Sequence, residues 1–227
     1  MHIEFQDGSG AAHTAVCDRL IVAVGRRPNT QSIASDEAGL LLNGGGLIHV
    51  DEQCCTNLPG VYAIGDAVRG PMLAHKGSEE GIMVAELIAG HHARVDYEHV
   101  PSVIYTLPEV AWVGPTEQAL KAAGTDYRVG SFPFAASGRA RAMGETVGMI
   151  KLLSDARNDR ILGAHMIGVS SSELIAEMVI GITLGASIED VCLTMFAHPS
   201  LSESVHEAAL DAEGRAIHMV SRQRKLK

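Results

Sequence analysis

The chain has 227 residues, of which 46% are hydrophobic and only 4% aromatic, and its formal net charge is −9 at pH 7. This length allows one large or two small domains with an aliphatic core, as in helix-covered α/β sheets. The negative charge argues against nucleic acid or an anionic membrane as the main partner, and the basic tail at 222–227 is too short to change that.

Neither secretion nor membrane insertion is predicted. The longest mostly apolar run, 178–188, is short and contains two glycines, so we expect no signal peptide and no membrane-spanning helix. The four cysteines, at positions 17, 54, 55 and 192, form no CxxC or CxxxxC pair. We therefore expect reduced thiols and a cytoplasmic protein. The histidines and Asp96 within 91–99 fit no zinc spacing, which predicts a polar linker and no metal site.

Residues 1–30 are predicted to form strands joined by turns. A strand over 3–5 precedes a polar turn, and the aliphatic run from Arg19 to Val24 predicts a buried strand of a doubly covered sheet. That strand ends at Gly25, where glycine allows the backbone to turn sharply or to approach a ligand closely. An ordinary strand-ending turn is the alternative for this segment.

The segment 56–66, TNLPGVYAIGD, predicts a turn, a short strand over 61–64, and then Gly65 and Asp66 at its carboxyl end. Ligands of open α/β sheets collect at such ends, where a carboxylate can accept hydrogen bonds from sugar or ribityl hydroxyls. The next segment, 70–76, opens a helix that Gly90 stops, and the amides of its first turn could stabilise negative charge. A plain turn and ordinary core packing of Met72 and Leu73 are the alternatives.

From Pro101 onward the pattern predicts an α+β fold with an antiparallel sheet. The predicted strands cover 102–105, 109–113, 127–134, 147–153 and 161–167, and the predicted helices cover 116–123 and 171–184. The second helix carries an apolar stripe that could face either the sheet or a second subunit. The residues of this stripe are Leu174, Ile175, Met178, Val179 and Ile182.

Residues 197–203, AHPSLSE, place an imidazole and a carboxylate at the start of a predicted helix. Pro199 favours an extended or turn conformation at His198, and Glu203 falls in the first turn of the helix. An imidazole held by a carboxylate has a fixed tautomer and is suited to take and return a proton near neutral pH. Ser200 and Glu203 also have the spacing of a helix capping box, so both interpretations stay open.

Segment 197–203 and the EAAL at 207–210 resemble the C-terminal signature of the flavin- and pyridine-nucleotide-dependent disulfide oxidoreductases. Five further stretches resemble the same family: VAVGRRPNT at 22–30, TNLPGVYAIGD at 56–66, YTLPEVAWVG at 105–114, GRARAM at 138–143 and ILGAHMIG at 161–168. The likeness runs from about residue 3 nearly to the end. The chain departs from the family at Ser200, where threonine is usual, and at 134–137, where an asparagine is usual.

The resemblance implies site residues and the cofactors FAD and NAD. His198 and Glu203 match the acid–base pair of the family, and Gly25 matches a position that contacts the dinucleotide. The positions that match flavin-binding residues are Gly65, Asp66, Met72, Leu73, Ala74 and His75.

The resemblance also implies the domain organisation and partners. Residues 1–28 would be the C-terminal remnant of an NAD-binding domain, 29–98 the C-terminal segment of an FAD-binding domain, and 99–227 the dimerisation domain. The chain contains neither GxGxxG nor a redox cysteine pair, so we expect the C-terminal half of a longer, lipoamide-acting enzyme, inactive by itself. We expect a homodimer that serves the lipoyl domains of 2-oxo acid dehydrogenase complexes. A glutathione-reductase-like enzyme and a standalone dimerising module are the alternatives.

Overall fold

A computed structural model describes residues 1–221, and the basic tail at 222–227 lies outside the described part. The chain divides into two compact units, Met1–Val95 and Asp96–Lys227. The boundary lies close to the predicted start of the dimerisation domain at 99. The predicted division of the first unit at residue 28 stays a prediction.

The first unit begins with an antiparallel hairpin of β1 (His2–Gln6) and β2 (Ala12–Val16), which confirms the strand predicted at 3–5. Asp7 stabilises the intervening turn, since its carboxylate accepts hydrogen bonds from the backbone of Ser9 and Ala11. The helix α1 (Ala74–Ile88) follows the segment predicted to open it and ends before Gly90. The apolar core of this unit is small and consists of Ile48, Val50 and Val68.

Two strand predictions in the first unit are wrong. Residues 19–24 form no strand, and their side chains are exposed, with Ile21 88% and Val24 95% accessible. Such an aliphatic run becomes a buried strand only when other strands pair with it and helices cover it, and this unit as described supplies neither. The predicted strand at 61–64 is reduced to a single bridge between Cys55 and Tyr62.

The second unit contains a five-stranded antiparallel sheet with helices, as predicted. The strand order is β3-β4-β7-β6-β5. The elements, in chain order, are β3 (Ser102–Ile104), β4 (Glu109–Val113), α2 (Glu117–Ala122), β5 (Tyr127–Pro133), α3 (Gly138–Met143), β6 (Met149–Asp155), β7 (Ile161–Gly168), α4 (Ser171–Thr183), α5 (Ile188–Leu193) and α6 (Glu203–Ala212).

Helices α4 and α6 cover one face of this sheet. Alternate residues of the central strands, such as Ala111, Ile150 and Met166, form the core with them. The α4 stripe at 174, 175, 178 and 182 is buried in that core, with Val179 packed against it, so the stripe faces the sheet and not a second subunit.

Close contact between α6 and the sheet depends on Gly130 of β5. A Cβ atom at this position would lie 2.0 Å from the carbonyl oxygen of Ala208 and 2.6 Å from the backbone nitrogen of Ala212. Only glycine therefore lets α6 approach β5 this closely. This packing holds the helix that begins at Glu203.

Within residues 1–221, no helix is both long and apolar enough to cross a membrane. The same part of the chain holds no cluster of histidine, cysteine and acidic residues with the geometry of a metal site.

Candidate active site

The structure brings His198 and Glu203 together at the start of α6. The Nδ1 atom of His198 lies 2.8 Å from Oε1 of Glu203. The other carboxylate oxygen accepts a 2.8 Å hydrogen bond from the backbone N–H of Ser200, and the Glu203 N–H donates to the Ser200 hydroxyl at 3.3 Å. The reciprocal hydrogen bonds of a capping box and the imidazole–carboxylate pair are therefore both present, because each uses a different oxygen of one carboxylate. The reciprocal bonds lie just before the helix, whose N-cap is Ser202.

The imidazole is accessible, whereas its carboxylate partner is held in place. The His198 side chain is 76% exposed and that of Glu203 only 27%. Ser202, which precedes Glu203, donates a 2.6 Å hydrogen bond to Glu177 of α4. Buried Val205 and Ala209 anchor the helix behind the pair.

The surroundings of Glu203 favour its ionised form. Burial raises its pKa, but the hydrogen bond from the Ser200 amide, the hydrogen bond from His198 and the charges of His198 and His218 lower it below the ordinary value. An ionised carboxylate only accepts hydrogen bonds, so Nδ1 of His198 is the donor. In the neutral ring, Nε2 then keeps its lone pair and can accept a proton.

A cavity of about 170 Å³ lies beside this pair and also contains a second imidazole–carboxylate pair that the sequence analysis missed. The sequence signal for it is a glutamate four residues after Glu203, which places both carboxylates on one helix face. The lining residues are Phe132, Ala136, Ser137, Gly138, Arg141, His198, Glu203, Ser204, Glu207 and His218.

The residues predicted to bind flavin lie in the first unit, and two of them, Asp66 and Met72, contact one arginine. Arg26, next to Gly25, forms a 2.5 Å ion pair with Asp66 and a 3.3 Å hydrogen bond to the carbonyl oxygen of Met72. Met72 and Leu73 are half-buried, and Ala74 and His75 are exposed at the first turn of α1.

A buried ion pair, also missed by the sequence analysis, fixes the turn at Gly65. Nζ of Lys76 lies 3.1 Å from Oε2 of Glu80, and both side chains are fully buried. Gly65 donates its N–H to Glu80 at 2.7 Å, and its carbonyl oxygen accepts from Lys76 at 2.8 Å. The pair thus clamps the Gly65 backbone, which has a positive φ of 70°, against α1.

Comparisons with known proteins agree with both units. Residues 100–209 match the dimerisation domain of the pyridine nucleotide-disulphide oxidoreductases, and residues 4–81 match a second model of the same family. The chain belongs to this family.

Similar proteins of the pyridine nucleotide-disulphide oxidoreductase family include the dihydrolipoyl dehydrogenase of Cupriavidus necator, which is 50% identical over 96% of this chain and 46% of its own length. The mitochondrial dihydrolipoyl dehydrogenase of Sus scrofa is 49% identical over 92% of this chain and 41% of its own length. Among solved structures, the HOCl-induced flavoprotein disulfide reductase RclA of Escherichia coli has a TM-score of 0.83 at 29% identity, covering 92% of this chain and 48% of that one. The chain spans less than half the length of these relatives.

Disulfide oxidoreductase chemistry requires cysteines that readily form thiolates. None of the four cysteines, all of which lie within residues 1–221, forms a disulfide. Burial raises the pKa of Cys192 to about 11, and burial together with the charge of Asp51 raises the pKa of Cys55. Because the thiolate is the reactive form, neither environment favours sulfur chemistry.

Proposed function

We propose that the chain supplies the proton-transfer pair and the subunit contacts of a dihydrolipoyl dehydrogenase, which oxidises protein-bound dihydrolipoamide and reduces NAD. The observation that carries this proposal is the 2.8 Å pairing of the exposed His198 imidazole with the Glu203 carboxylate. The dihydrolipoyl dehydrogenases of Cupriavidus necator and Sus scrofa support the choice of substrate. By itself, the 227-residue chain is proposed to be a dimerisation module without turnover.

Proton transfer would run through Nε2 of His198. A free thiol has a pKa of about 8.5 and is mostly protonated at pH 7, whereas its thiolate is the nucleophile. Nε2 would take the thiol proton of dihydrolipoamide, and Glu203 would stabilise the resulting imidazolium until the proton is returned. The thiolate would then attack one sulfur of a redox disulfide, so that the S–S bond breaks and a mixed disulfide forms.

We place this disulfide outside the chain. The sequence has no redox cysteine pair, and the environments of Cys55 and Cys192 disfavour thiolates. The family resemblance implies active sites built from two subunits, in which the pair of one subunit faces the disulfide of the other. Dimerisation would then be part of catalysis.

Several exposed apolar side chains of the second unit support a homodimer. Ile180, in the last turn of α4, and Leu184, its C-cap, are 61% and 79% exposed, and Leu193 and Met195 are 75% and 96% exposed. Burial of such surface in a subunit contact is favourable by roughly 25 cal/mol for each Å². The match to a dimerisation domain covers all four residues.

The first unit fits one edge of a flavin dinucleotide. Asp66 offers a carboxylate to ribityl hydroxyls. The N-cap of α1, Leu73, makes no side-chain cap hydrogen bond, and the N-terminus of a helix favours an anionic group. Asp66, Gly65 and 72–75 would hold FAD, and Gly25 would lie against a dinucleotide. When bound, FAD supplies two-electron transfer between the sulfurs and NAD. Because the Asp66 carboxylate is paired with Arg26, it could bind a ribityl hydroxyl only if this ion pair were weakened or broken.

These sites are incomplete in this chain, because its sequence lacks the GxGxxG that holds a pyrophosphate. We therefore propose that the chain does not retain FAD or NAD tightly. The proposed macromolecular partners of the whole enzyme are the lipoyl domains of 2-oxo acid dehydrogenase complexes, and the proposed location is the cytoplasm.

The first test uses the chain alone. Gel filtration with intact-mass analysis is expected to show a dimer of the 24.0 kDa chain, colourless and unable to reduce lipoamide. A yellow preparation that reduces lipoamide would contradict the proposed role of the chain. A monomer at micromolar concentration would contradict its role in dimerisation.

The second test uses the whole protein. The coding sequence upstream of Met1 is expected to encode a GxGxxG and a cysteine pair. In that protein, His198→Gln should lower kcat by about 10² to 10⁴, the usual contribution of a general acid–base group, without loss of flavin absorbance. His92→Gln, a change at an exposed histidine of the first unit, is the control and should leave kcat unchanged. Full activity of the His198 variant would overturn the assignment.

A further inference from the structure

The second imidazole–carboxylate pair of the cavity consists of His218 and Glu207. Nδ1 of His218 lies 2.9 Å from Oε1 of Glu207. Glu207 follows Glu203 by four residues on α6, so the two carboxylates project from the same face of the helix. Two pairs of the same chemistry therefore share one cavity of about 170 Å³.

Glu207 is fixed more firmly than Glu203. Its Oε2 atom accepts backbone hydrogen bonds from Ile217 and His218, both at 3.1 Å, and its side chain is only 5% exposed. These bonds tie the segment 217–218 to α6. The ring of His218, which is 60% exposed, is thereby held at the cavity.

The charged groups around Glu203 come from three parts of the unit. Arg141 lies on α3, Glu207 on α6, and His218 in the segment after α6, in addition to His198 itself. Positive charge on His218 helps to lower the pKa of Glu203. Without that positive charge, the negative charge of Glu207 is no longer balanced beside the His198–Glu203 pair.

We propose that His218, held by Glu207, is a positioning residue for the His198–Glu203 pair, and that the charge on one pair biases the proton held by the other. The shared cavity and the fixed placement of Glu207 carry this inference. Its relevance to catalysis rests on the proposed function. The electrostatic linkage between the two imidazole–carboxylate pairs is a property of this chain and can be measured without enzymatic turnover.

The test measures the rate at which diethyl pyrocarbonate acylates His198 in the 227-residue chain, read by peptide mass spectrometry. This reagent attacks only the neutral ring. Loss of a neighbouring positive charge favours the protonated ring, so His218→Gln should slow the reaction about twofold at pH 6, the size expected for partly screened charges. At pH 8, where imidazoles are ordinarily neutral, the two proteins should react alike.

Two further variants separate charge from structure. His218→Lys keeps a positive charge and should restore the wild-type rate at pH 6. His91→Gln removes the imidazole of an exposed pair with Glu86 in the first unit and should change nothing at either pH. Equal rates for wild type and His218→Gln at pH 6 would overturn the proposal, as would equal slowing by Gln and Lys or the same slowing at pH 8. Full activity of a His198→Gln enzyme would overturn the proposed function but would leave the linkage between the two pairs unaffected.

Discussion

The two units of the chain are stabilised by different kinds of interaction. The second unit has one continuous apolar core that joins four strands to α4, α5 and α6. The apolar cluster of the first unit contains only three buried residues, and the largest fully buried side chain of this unit belongs to Lys76, paired with Glu80. Polar contacts therefore provide much of the order of the first unit, whereas hydrophobic burial dominates in the second.

The difference shows which elements form from local contacts and which need distant ones. The Asp7 turn and the Gly65 clamp use partners within 15 residues along the chain and are well formed. The aliphatic run at 19–24 needs neighbouring strands and covering helices, and it is exposed. An apolar sequence alone does not produce a buried strand.

Hydrogen exchange should give the largest contrast between the two units. Amides of residues 21–24 are expected to exchange at nearly the rate of an unfolded chain, because this exposed segment has no strand pairing. Amides of β6, an interior strand of the sheet, should be at least about a thousand-fold slower, since their opening approaches global unfolding. Equal protection in both segments would show that the predicted buried strand exists.

Removal of one partner of the buried ion pair should strongly destabilise the first unit alone. Lys76→Met leaves the Glu80 carboxylate buried without its cation, a change that typically costs about 3–5 kcal/mol. Loss of exchange protection in α1, with β6 unchanged, is the expected measurement. Lys121→Met is the matched control, because it breaks another Lys–Glu pair four residues apart whose lysine is 64% exposed. Equal effects of the two variants would contradict the importance of burial.

A methyl group at Gly130 should destabilise the second unit to a smaller extent. Gly130→Ala places Cβ 2.0 Å from the Ala208 carbonyl oxygen and pushes α6 away from the sheet. Overpacking of this kind costs on the order of 1–3 kcal/mol, to be measured by urea unfolding. Gly138→Ala is the control, since nothing lies within 4 Å of its Cβ position. An unfolding free energy of the Gly130 variant equal to that of the control would mean that α6 is not tightly packed.

The fold of the second unit could largely be predicted from its sequence. Every predicted strand there lies within two residues of an observed one, because alternation and turn residues are local signals. The direction of the α4 stripe could not be predicted, since a sheet and a second subunit both accept an apolar face. In the first unit, the same type of signal failed at 19–24, where the outcome depends on neighbours outside the segment.

The candidate site was predicted in part. The sequence suggested two competing roles for Glu203: a helix-capping partner of Ser200 and an acid–base partner of His198. Only coordinates show that its two carboxylate oxygens serve both roles. The contact of His218 with Glu207 joins residues 11 positions apart in different elements, and no periodicity predicts it. The Lys76 and Glu80 pair has ordinary helical spacing, so its burial could not be inferred from sequence.

The smallest expected effect is a pH dependence confined to the second unit. Lys151, Lys121 and Tyr127 contact the carboxylate of Glu117 and lower its pKa to about 2 from an ordinary value of 4.5. A lowered carboxylate pKa stabilises the folded state above the ordinary value, and this contribution is lost as the pH falls from 4.5 towards 2. Glu117→Gln should therefore lower the unfolding free energy at pH 6 by at most about 1 kcal/mol, given solvent screening, and by less at pH 3. Glu145→Gln, at an exposed carboxylate of the same unit, should show no such difference between the two pH values. An effect of Glu117→Gln that grows on acidification would contradict the assigned ion pairs.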